Sequence, residues 1–462
     1  MFNLQLGPLW DYSRHGYQPQ NSRSITESLD TAAIRGDGPD HIEFENNDFN
    51  DIVVKAAIRL FRGASHKGHR YKTLFIRNCT GQVENILAVA VEEQVFDEIH
   101  VYLDKDLERT DSCERMRFDH SNESLYLSGM SFSTNDSVSL KDLVLNSRFF
   151  KELMGKSGHY KRVVLSEITF GHEDNDLLVA EFIEGLRTKP SLEKIQVCRC
   201  HGLTGERLAL FVQSFGYTSS LKELCLQEVD VDIPAMEALC KLLANSQLEA
   251  LILRQTLKPS QLRMLAKGLK ANQHLRKVEL ASNDLVDEDL VEMIEEGSFP
   301  PGLEELDLSH NRFTDNVLRT LAFQNLSSLR RLKVHNNYFS RDEGPRYILR
   351  ILQENPRLRF VDHRLHMPED GSEVFSQIQH FEDFNKGGRS LLCHSKMPPL
   401  SLWPAVVARA NVLFQGSRAC RQKRRVNVLF HLLQGPALLN RTAIAAVNDR
   451  YGDAAAYNTA EE

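Results

Sequence analysis

A spacing of leucine and asparagine recurs at nearly constant intervals through the 462-residue chain and limits the folds open to it. Its clearest copy has Leu303, Leu306, Leu308 and Asn311 in the order L-x-x-L-x-L-x-x-N. A unit this short cannot bury its apolar side alone, so neighbouring units must stack into a solenoid. Copies begin at positions 160, 192, 221, 248, 275, 303, 329 and 358, with gaps of 26 to 32 residues.

Each unit predicts a short strand followed by a helix. The alternation L-x-L suits a strand that buries one face. After it, Pro259 precedes Leu262, Leu265 and Leu269, and this spacing predicts an amphipathic helix with proline in its first turn. Weaker copies extend upstream to Tyr71, and a possible first strand lies around residues 42–47.

These repeats resemble the ribonuclease-inhibitor-like class of leucine-rich repeats over roughly residues 40–365. The resemblance implies an α/β fold, a leucine-rich-repeat solenoid (horseshoe) with a concave parallel sheet and convex helices. It also implies that one residue per turn bonds to neighbouring backbone. Asn283, Asn311 and Asn337 match that ladder position, as do the accepted substitutes Cys79 and Cys200; Ile168, Val229 and Thr256 depart from it, and we expect less regular turns there.

The ends of the chain differ from its centre. An apolar stripe that includes Phe375, Ile378 and Phe384 predicts a helix that caps the last repeat. The C-terminal part has a distinct layout of Asn385 with Gly388-Arg389, then Leu402-Trp403-Pro404, Arg409 with Asn411, and Val428–Pro436. This layout resembles the tail of leucine-rich-repeat proteins of diatoms, which implies no activity. We predict a disordered segment at 1–38, the solenoid at 39–365, a capping helix and linker at 366–399, a helical C-terminal module at 400–440 and a flexible tail at 441–462.

Charge and cysteine content exclude several classes of protein. The 56 Lys and Arg residues nearly balance 63 Asp and Glu residues, so we expect no bulk binding of nucleic acid. Neither a long apolar run nor a leader pattern occurs, and the eight cysteines form no disulfide framework. We therefore expect a cytoplasmic protein without a membrane segment. The basic cluster Arg418–Arg425 leaves a nuclear location open, although such a cluster is also typical of a solvated helix.

Short motifs that could carry chemistry are incomplete. Gly155–Ser157 ends like a phosphate-binding loop, but Phe150 stands where its first glycine belongs. The acidic run Asp104–Glu108 lacks the glycine and final glutamate of a calcium loop. Cys198 and Cys200 are closer together than zinc ligands usually are. We expect no catalytic residues, no bound metal and no cofactor.

Residues between the strand leucines should line the concave face. Its N-terminal third is aromatic, and its C-terminal third is charged. Aromatic residues beside arginine are typical of interface hot spots, although strand propensity alone also favours aromatic residues. The candidate partner-binding residues are Phe75, Arg77, His100, Tyr102, Tyr126, Arg254, Glu279, Asp307 and Lys333.

The sequence predicts a non-enzymatic interaction scaffold that binds a protein partner on the concave face. We expect no nucleic acid, membrane or small-molecule partner. One alternative is a GTPase-activating or other small-GTPase regulatory protein, because Ran GTPase-activating proteins share this repeat class. Such an activator needs an exposed arginine, for which Arg77 and Arg254 are candidates. Another alternative is a ubiquitin-ligase substrate receptor whose residues 400–436 bind the adaptor, although no F-box is recognisable.

Overall fold

The computed structural model divides the chain into two compact units, Met1–Leu257 and Lys258–Glu462. The predicted segments at 104–108, 150–157, 418–425 and 441–462 lie outside the described residues, as does nearly all of 400–440. The structure describes residues 3–6, 41–45, 48–77, 79–103, 114–119, 123–128, 131–132, 160–170, 183, 191–217, 220–324, 326–363, 373–393, 405–406 and 408–409.

Short strands of successive repeats form the sheet of the first unit. They begin two residues after the leading apolar residue, as Arg162 follows Tyr160 and Lys194 follows Leu192, so the predicted repeat register is confirmed. In spatial order the strands are β1 (Asn3–Leu6), β2 (His41–Glu45), β4 (Tyr71–Arg77), β6 (Phe96–Leu103), β7 (Glu114–Asp119), β8 (Ser124–Ser128), β10 (Arg162–Ser166), β12 (Lys194–Cys198), β13 (Glu223–Gln227) and β14 (Ala250–Arg254). Two small pairs join β3 (Asp48–Phe49) to β5 (Thr80–Gly81) and β9 (Ser131–Phe132) to β11 (Thr169–Phe170).

Strand β7 is antiparallel to both of its neighbours, whereas the other strand pairs described in this sheet are parallel. It lies in the second half of the repeat between Phe96 and Asn122, where the repeat pattern predicts a helix. Its sequence alternates instead, with Met116 buried and Arg117 on the other face. Strand β7 is thus inserted between β6 and β8 and adds one side chain to each row of side chains that crosses the sheet at this point. Strand β1 also lies within the segment for which the sequence predicted no element.

The second unit has four parallel strands, β15 (Lys277–Glu279), β16 (Glu305–Asp307), β17 (Arg331–Lys333) and β18 (Phe360–Asp362). Their register pairs Val278 with Leu306, Leu306 with Leu332 and Leu332 with Val361. Equivalent positions of the repeat therefore lie side by side. Together with the first unit, this arrangement confirms the predicted α/β leucine-rich-repeat solenoid.

Helices cover one face of each sheet. Strand leucines such as Leu226 and Leu306 are 1% exposed, and the helix Leu262–Ala271 buries Leu262, Leu265 and Leu269 on one side. We call the opposite side, where the intervening strand residues point, the open face. None of the described helices is long and apolar enough to cross a membrane. The helices are α1 (Asp51–His66), α2 (Val83–Glu92), α3 (Gly205–Ser214), α4 (Ile233–Asn245), α5 (Leu262–Ala271), α6 (Asp287–Glu295), α7 (Asp315–Phe323), α8 (Glu343–Glu354), α9 (Glu373–Gly387) and α10 (Arg389–Cys393).

Buried asparagines join the turns of the second unit. Asn311 Nδ2 donates to the carbonyl oxygens of Leu280 at 2.9 Å and Leu308 at 3.0 Å. Its Oδ1 accepts from the backbone N–H groups of Asn283 and Leu285. Asn337 bonds in the same manner to Leu308 O, which confirms the predicted ladder.

Smaller donors hold the ladder position in the first unit. Cys200 Sγ donates to Leu165 O, and Cys79 Sγ donates to Phe44 O. Thr256 Oγ1 donates to Leu226 O at 3.2 Å and Arg254 O at 2.6 Å. The expectation of a less regular turn at Thr256 is therefore wrong, because a hydroxyl supplies the donor that the turn needs.

The residue before the ladder position has left-handed backbone in both units, although a side chain makes this conformation uncommon. Its recurrence gives the turns one geometry despite different residue types. The residues, with φ between 48° and 60°, are Glu167, Arg199, Glu228, Gln255, Ser282, His310 and Asn336.

Helix α9 packs against the last repeat. Asn385 Nδ2 donates to Leu358 O at 2.8 Å and also reaches Leu352 O and Asn355 O. A carboxylate oxygen of Glu382 accepts from the backbone N–H of Val361 in β18. Since β18 is at the edge of the sheet, these hydrogen bonds supply partners for backbone groups of the last repeat that no further repeat would bond.

Candidate interaction surface

The strand register aligns predicted candidate residues on the open face of the first unit. Phe75 pairs with His100, His100 with Arg117, and Arg117 with Tyr126. Arg77 pairs with Tyr102 in the adjacent row. These six residues, Phe75, Arg77, His100, Tyr102, Arg117 and Tyr126, are called the aromatic–arginine cluster below.

The rings of the cluster stack on one another. Phe75 and His100 are 5.0 Å apart between centroids, and His100 and Tyr102 are 6.0 Å apart with nearly parallel planes. Arg77 Cζ lies 5.2 Å from the Phe75 ring and 5.5 Å from the Tyr102 ring. Cation–π contacts of this kind hold the guanidinium against the rings. Arg77 also pairs with Glu43 at 3.2 Å, so its position is fixed from two sides.

His100 links the stack to a carboxylate. Its Nε2 is 2.9 Å from Glu98 Oε2, and its Nδ1 is 3.2 Å from the Tyr102 hydroxyl. Because a carboxylate only accepts, we assign the proton to Nε2, and Nδ1 then accepts from Tyr102. Burial lowers the pKa of His100, and the charges of Arg117 and Arg77 lower it further against the opposing effect of Glu98.

Arg117 enters the cluster from the inserted strand. Its Nη2 donates to Glu98 at 2.5 Å and to the buried Asp119 at 3.3 Å. Burial alone would raise the pKa of Glu98, but hydrogen bonds from His100 and Arg117 outweigh burial and lower it. The carboxylate is therefore ionised at neutral pH and keeps both donors in place.

Tyr126 lies between two guanidinium groups. Arg117 Cζ is 5.3 Å from its ring centroid, and Arg162 Cζ is 5.9 Å from it. The two arginines are on the strands that flank β8. Arg162 Nη2 donates to Gln196 Oε1 at 3.3 Å. The repeat pattern did not single out Arg117 or Arg162 as candidates.

Arg254 does not join the cluster. It is exposed on β14, in the same row as Tyr102 but six strands along the sheet. Six steps of about 4.8 Å separate the two backbones by roughly 29 Å. The structure therefore brings together five of the six candidates of this unit and leaves Arg254 apart.

The three candidates of the second unit form their own row, since Glu279 pairs with Asp307 and Asp307 with Lys333. The sequence predicted exposed charges, but Glu279 is 1% exposed and Asp307 is 6% exposed. Asp307 accepts from Lys333 Nζ at 3.0 Å and from the hydroxyl and backbone N–H of Ser309. Lys277 Nζ, on the same strand, lies 3.4 Å from Glu279 Oε2. The expectation of exposed acids is therefore wrong at both positions, because both carboxylates are covered in the folded sheet and lie against cations.

Cys198 ends β12, and Cys200 follows it in the turn, where its thiol is a hydrogen-bond donor. Cys200 Sγ donates to Leu165 O and Cys198 O, and burial raises the pKa of Cys200 to about 12. A thiol at neutral pH is a hydrogen-bond donor here, whereas metal ligands are thiolates. Within the part of the chain that the structure describes, no group of three or more His, Cys, Asp and Glu is placed to hold a metal ion.

One family model agrees with the repeat geometry. The family model "Leucine Rich repeat" matches residues 271–293 and 302–322. No curated protein matches the chain. Solved structures with similarity include an internalin from Listeria monocytogenes, at 11% identity over 79% of this chain and 89% of that chain with a TM-score of 0.33.

Two further solved structures are similar over smaller parts of the chain. A protein from Bacteroides fragilis shares 14% identity over 52% of this chain and 67% of its own, with a TM-score of 0.34. The tropomodulin C-terminal domain from Caenorhabditis elegans shares 18% identity over 41% of this chain and 96% of its own, with a TM-score of 0.26. At these scores the fold assignment depends on the repeat geometry and the family model.

Proposed function

We propose that this leucine-rich-repeat protein is a non-enzymatic scaffold that binds a protein partner through the aromatic–arginine cluster. The observation that carries the proposal is the stacking of Phe75, His100, Tyr102 and Arg77 on the open face of the first unit, opposite the helices that the structure describes. Large aromatic and arginine side chains dominate the binding energy of most protein interfaces.

The order of the cluster supports this proposal. Each ring of Phe75, His100 and Tyr102 has another ring or a guanidinium against it, and the Arg77 guanidinium is also bonded to Glu43. Side chains that are already ordered lose little rotamer entropy when a partner binds, so more of the contact energy contributes to affinity. The sheet beneath them supplies a rigid base.

The same contacts favour a scaffold over a GTPase activator. A catalytic arginine must reach into the phosphates of a bound nucleotide. Arg77, one of the two candidates, is held by Glu43 at 3.2 Å and by the Phe75 and Tyr102 rings. The Arg77 side chain would have to break these contacts before it could bond to a phosphate.

Finer assignments are part of the proposal. We infer the ribonuclease-inhibitor-like class from units of 26–29 residues that combine a strand with a full helix, as in β16 and α7. A cytoplasmic or nuclear location and a helical C-terminal module at 400–440 stay predictions from the sequence. The diatom resemblance also stays a prediction, since it depends on that module.

The test is capture of partners by the full-length chain, with quantitative mass spectrometry of what is retained. Tyr102→Ala/Tyr126→Ala should lose a specific partner, because truncation of such anchors typically weakens binding about 30-fold to 1000-fold. The control is Tyr338→Ala, which removes a tyrosine that is 70% exposed outside the cluster. Equal capture by the wild type and the double variant, at equal melting temperatures, would refute the proposal.

A further inference from the structure

Arg162 differs from other cations on the open face of the first unit. Its Nη2 donates to the neutral amide oxygen of Gln196 at 3.3 Å. Among the residues that the structure describes, no carboxylate pairs with it. Three other cations on this face have acidic partners: Arg77 has Glu43, Arg117 has Glu98 and Asp119, and Lys194 has Glu223.

The row of residues around Arg162 does not compensate its charge. The register places Ser124 on one side of it and Lys194 on the other. The next positions in the row are Asp119 and Glu223, each two strands or about 10 Å away. Both carboxylates already pair with other cations, and a distance of this size is close to the screening length of physiological salt.

The guanidinium of Arg162 also has donor capacity to spare. Its Cζ lies 5.9 Å from the Tyr126 ring centroid, which orients the planar group. Its Nε is buried and makes no hydrogen bond. The buried Nε is out of reach of a partner, but among the described residues only Nη2 of the guanidinium makes a hydrogen bond. A carboxylate can accept charge-assisted bonds from the Nη groups. An arriving acid would therefore supply both the missing charge and a missing acceptor.

We propose that Arg162 anchors a carboxylate side chain, Asp or Glu, of the protein partner that binds the aromatic–arginine cluster. The inference rests on the proposed function, because Arg162 contacts that cluster through Tyr126. A single carboxylate fits this surface better than a nucleic acid, whose successive phosphates would meet Glu43, Glu98, Asp119 and Glu223.

The test uses a phage library of random dodecapeptides selected on the full-length chain. We expect wild-type selections to carry Asp or Glu at one fixed position beside apolar residues. Selections on Arg162→Glu should carry Lys or Arg at that position. The matched control is Arg199→Gln, because Arg199 has its own carboxylate in Glu228 and lies in a turn outside the rows. It should leave the acidic preference unchanged.

The affinity of a synthetic peptide from the wild-type selection measures how much Arg162 contributes to binding. Arg162→Gln should weaken its binding about 10- to 100-fold, since one charge-assisted bond is lost, and Arg162→Lys should retain part of the affinity. Replacing the Asp or Glu of the peptide by Asn or Gln should weaken binding to the wild-type protein by a similar factor. The same replacement should hardly change binding to Arg162→Gln. Melting temperatures should match throughout.

Different results separate the two proposals. Selected peptides that require Tyr102 and Tyr126 but show no preference for Asp or Glu would overturn the carboxylate anchor. So would an acidic preference that persists in selections on Arg162→Glu. Either result would leave the scaffold proposal standing. Tighter binding of a phosphoserine version of the peptide, or of a 20-nucleotide polyuridine RNA, would also overturn the carboxylate anchor. No enrichment, or enrichment indifferent to Tyr102 and Tyr126, would overturn both.

Discussion

The open faces of the two units are built on the same repeat but present different chemistry. In the first unit, Tyr102, Arg117 and Tyr126 remain partly accessible. In the second unit, Glu279 is almost wholly buried, and Asp307 is bonded to Lys333 and Ser309. One face keeps aromatic edges and donors for a partner, and the other satisfies its charges internally.

The difference shows that folding and recognition depend on separate positions of the repeat. Leu226 in the first unit and Leu306 in the second fill inward strand positions of the repeat, the sixth and the fourth, and have equal exposure. The outward positions are not needed for this core, so they are free to vary. A surface cannot therefore be inferred from the strength of the repeat beneath it.

The largest expected effect tests whether the two units share one kind of core. Leu226→Ala and Leu306→Ala should each cost about 2–5 kcal/mol, because each removes a buried side chain and leaves a cavity. Hydrogen-exchange mass spectrometry of the full chain would report the unit that each variant destabilises. A variant that exchanges like the wild type would show that the shared core does not extend to its unit.

A smaller effect should distinguish the charged groups of the two faces. Arg117→Ala should cost about 1–3 kcal/mol, because it withdraws a cation from Asp119, whose side chain is 2% exposed. Lys333→Ala should cost about 1 kcal/mol or less, since Asp307 keeps its bonds from Ser309. Thermal unfolding measures both, with Arg117→Lys as the control. Equal losses would contradict the stated difference.

The acid side of the pH profile should depend on Asp307. Burial tends to raise the pKa of Asp307, but bonds from Ser309 and Lys333 outweigh burial and lower it. Its contribution to stability is therefore full above the unfolded pKa of about 4 and is lost as pH falls through the folded pKa. Asp307→Asn should melt earlier than the wild type at pH 7, with the gap closing as pH falls through the folded pKa. A constant gap would contradict this assignment.

The smallest expected effect is a shift in one titration. The pKa of His100 is lowered by burial and by Arg117 and Arg77, so its ring should titrate below about 6.5 in the folded protein. Carbon-13 NMR of labelled histidine measures this, with His100→Gln identifying the signal. Glu98→Gln should lower the value further, because the carboxylate opposes the shift. A midpoint above 6.5 would contradict the neutral ring assigned in the stack.

Repeat spacing predicted most of the fold because it reports buried positions directly. The strand starts follow from the leucine intervals, and the asparagine ladder follows from the resemblance to ribonuclease-inhibitor-like repeats. Strand β7 could not be predicted that way, since Arg115–Asp119 occupies the part of a repeat where a helix is expected. Its alternation of polar and apolar residues was the available signal.

The candidate surface was predictable only in part. Phe75, Arg77, His100, Tyr102 and Tyr126 are at outward positions of the strand pattern, and the structure places them together. Arg162 begins its strand, one outward position before the two stripes that the pattern highlighted. The burial of Glu279 belongs to the folded sheet, and its outward position in the strand pattern does not report it.

Hydroxyl-radical footprinting of the full chain with a selected peptide tests the central claim most directly, because aromatic side chains are reactive probes. We expect protection of Phe75, Tyr102 and Tyr126, with unchanged reactivity at the exposed Phe323 and Tyr338. Protection confined to Phe323 or Tyr338, with full reactivity of the aromatic–arginine cluster at saturating peptide, would contradict it.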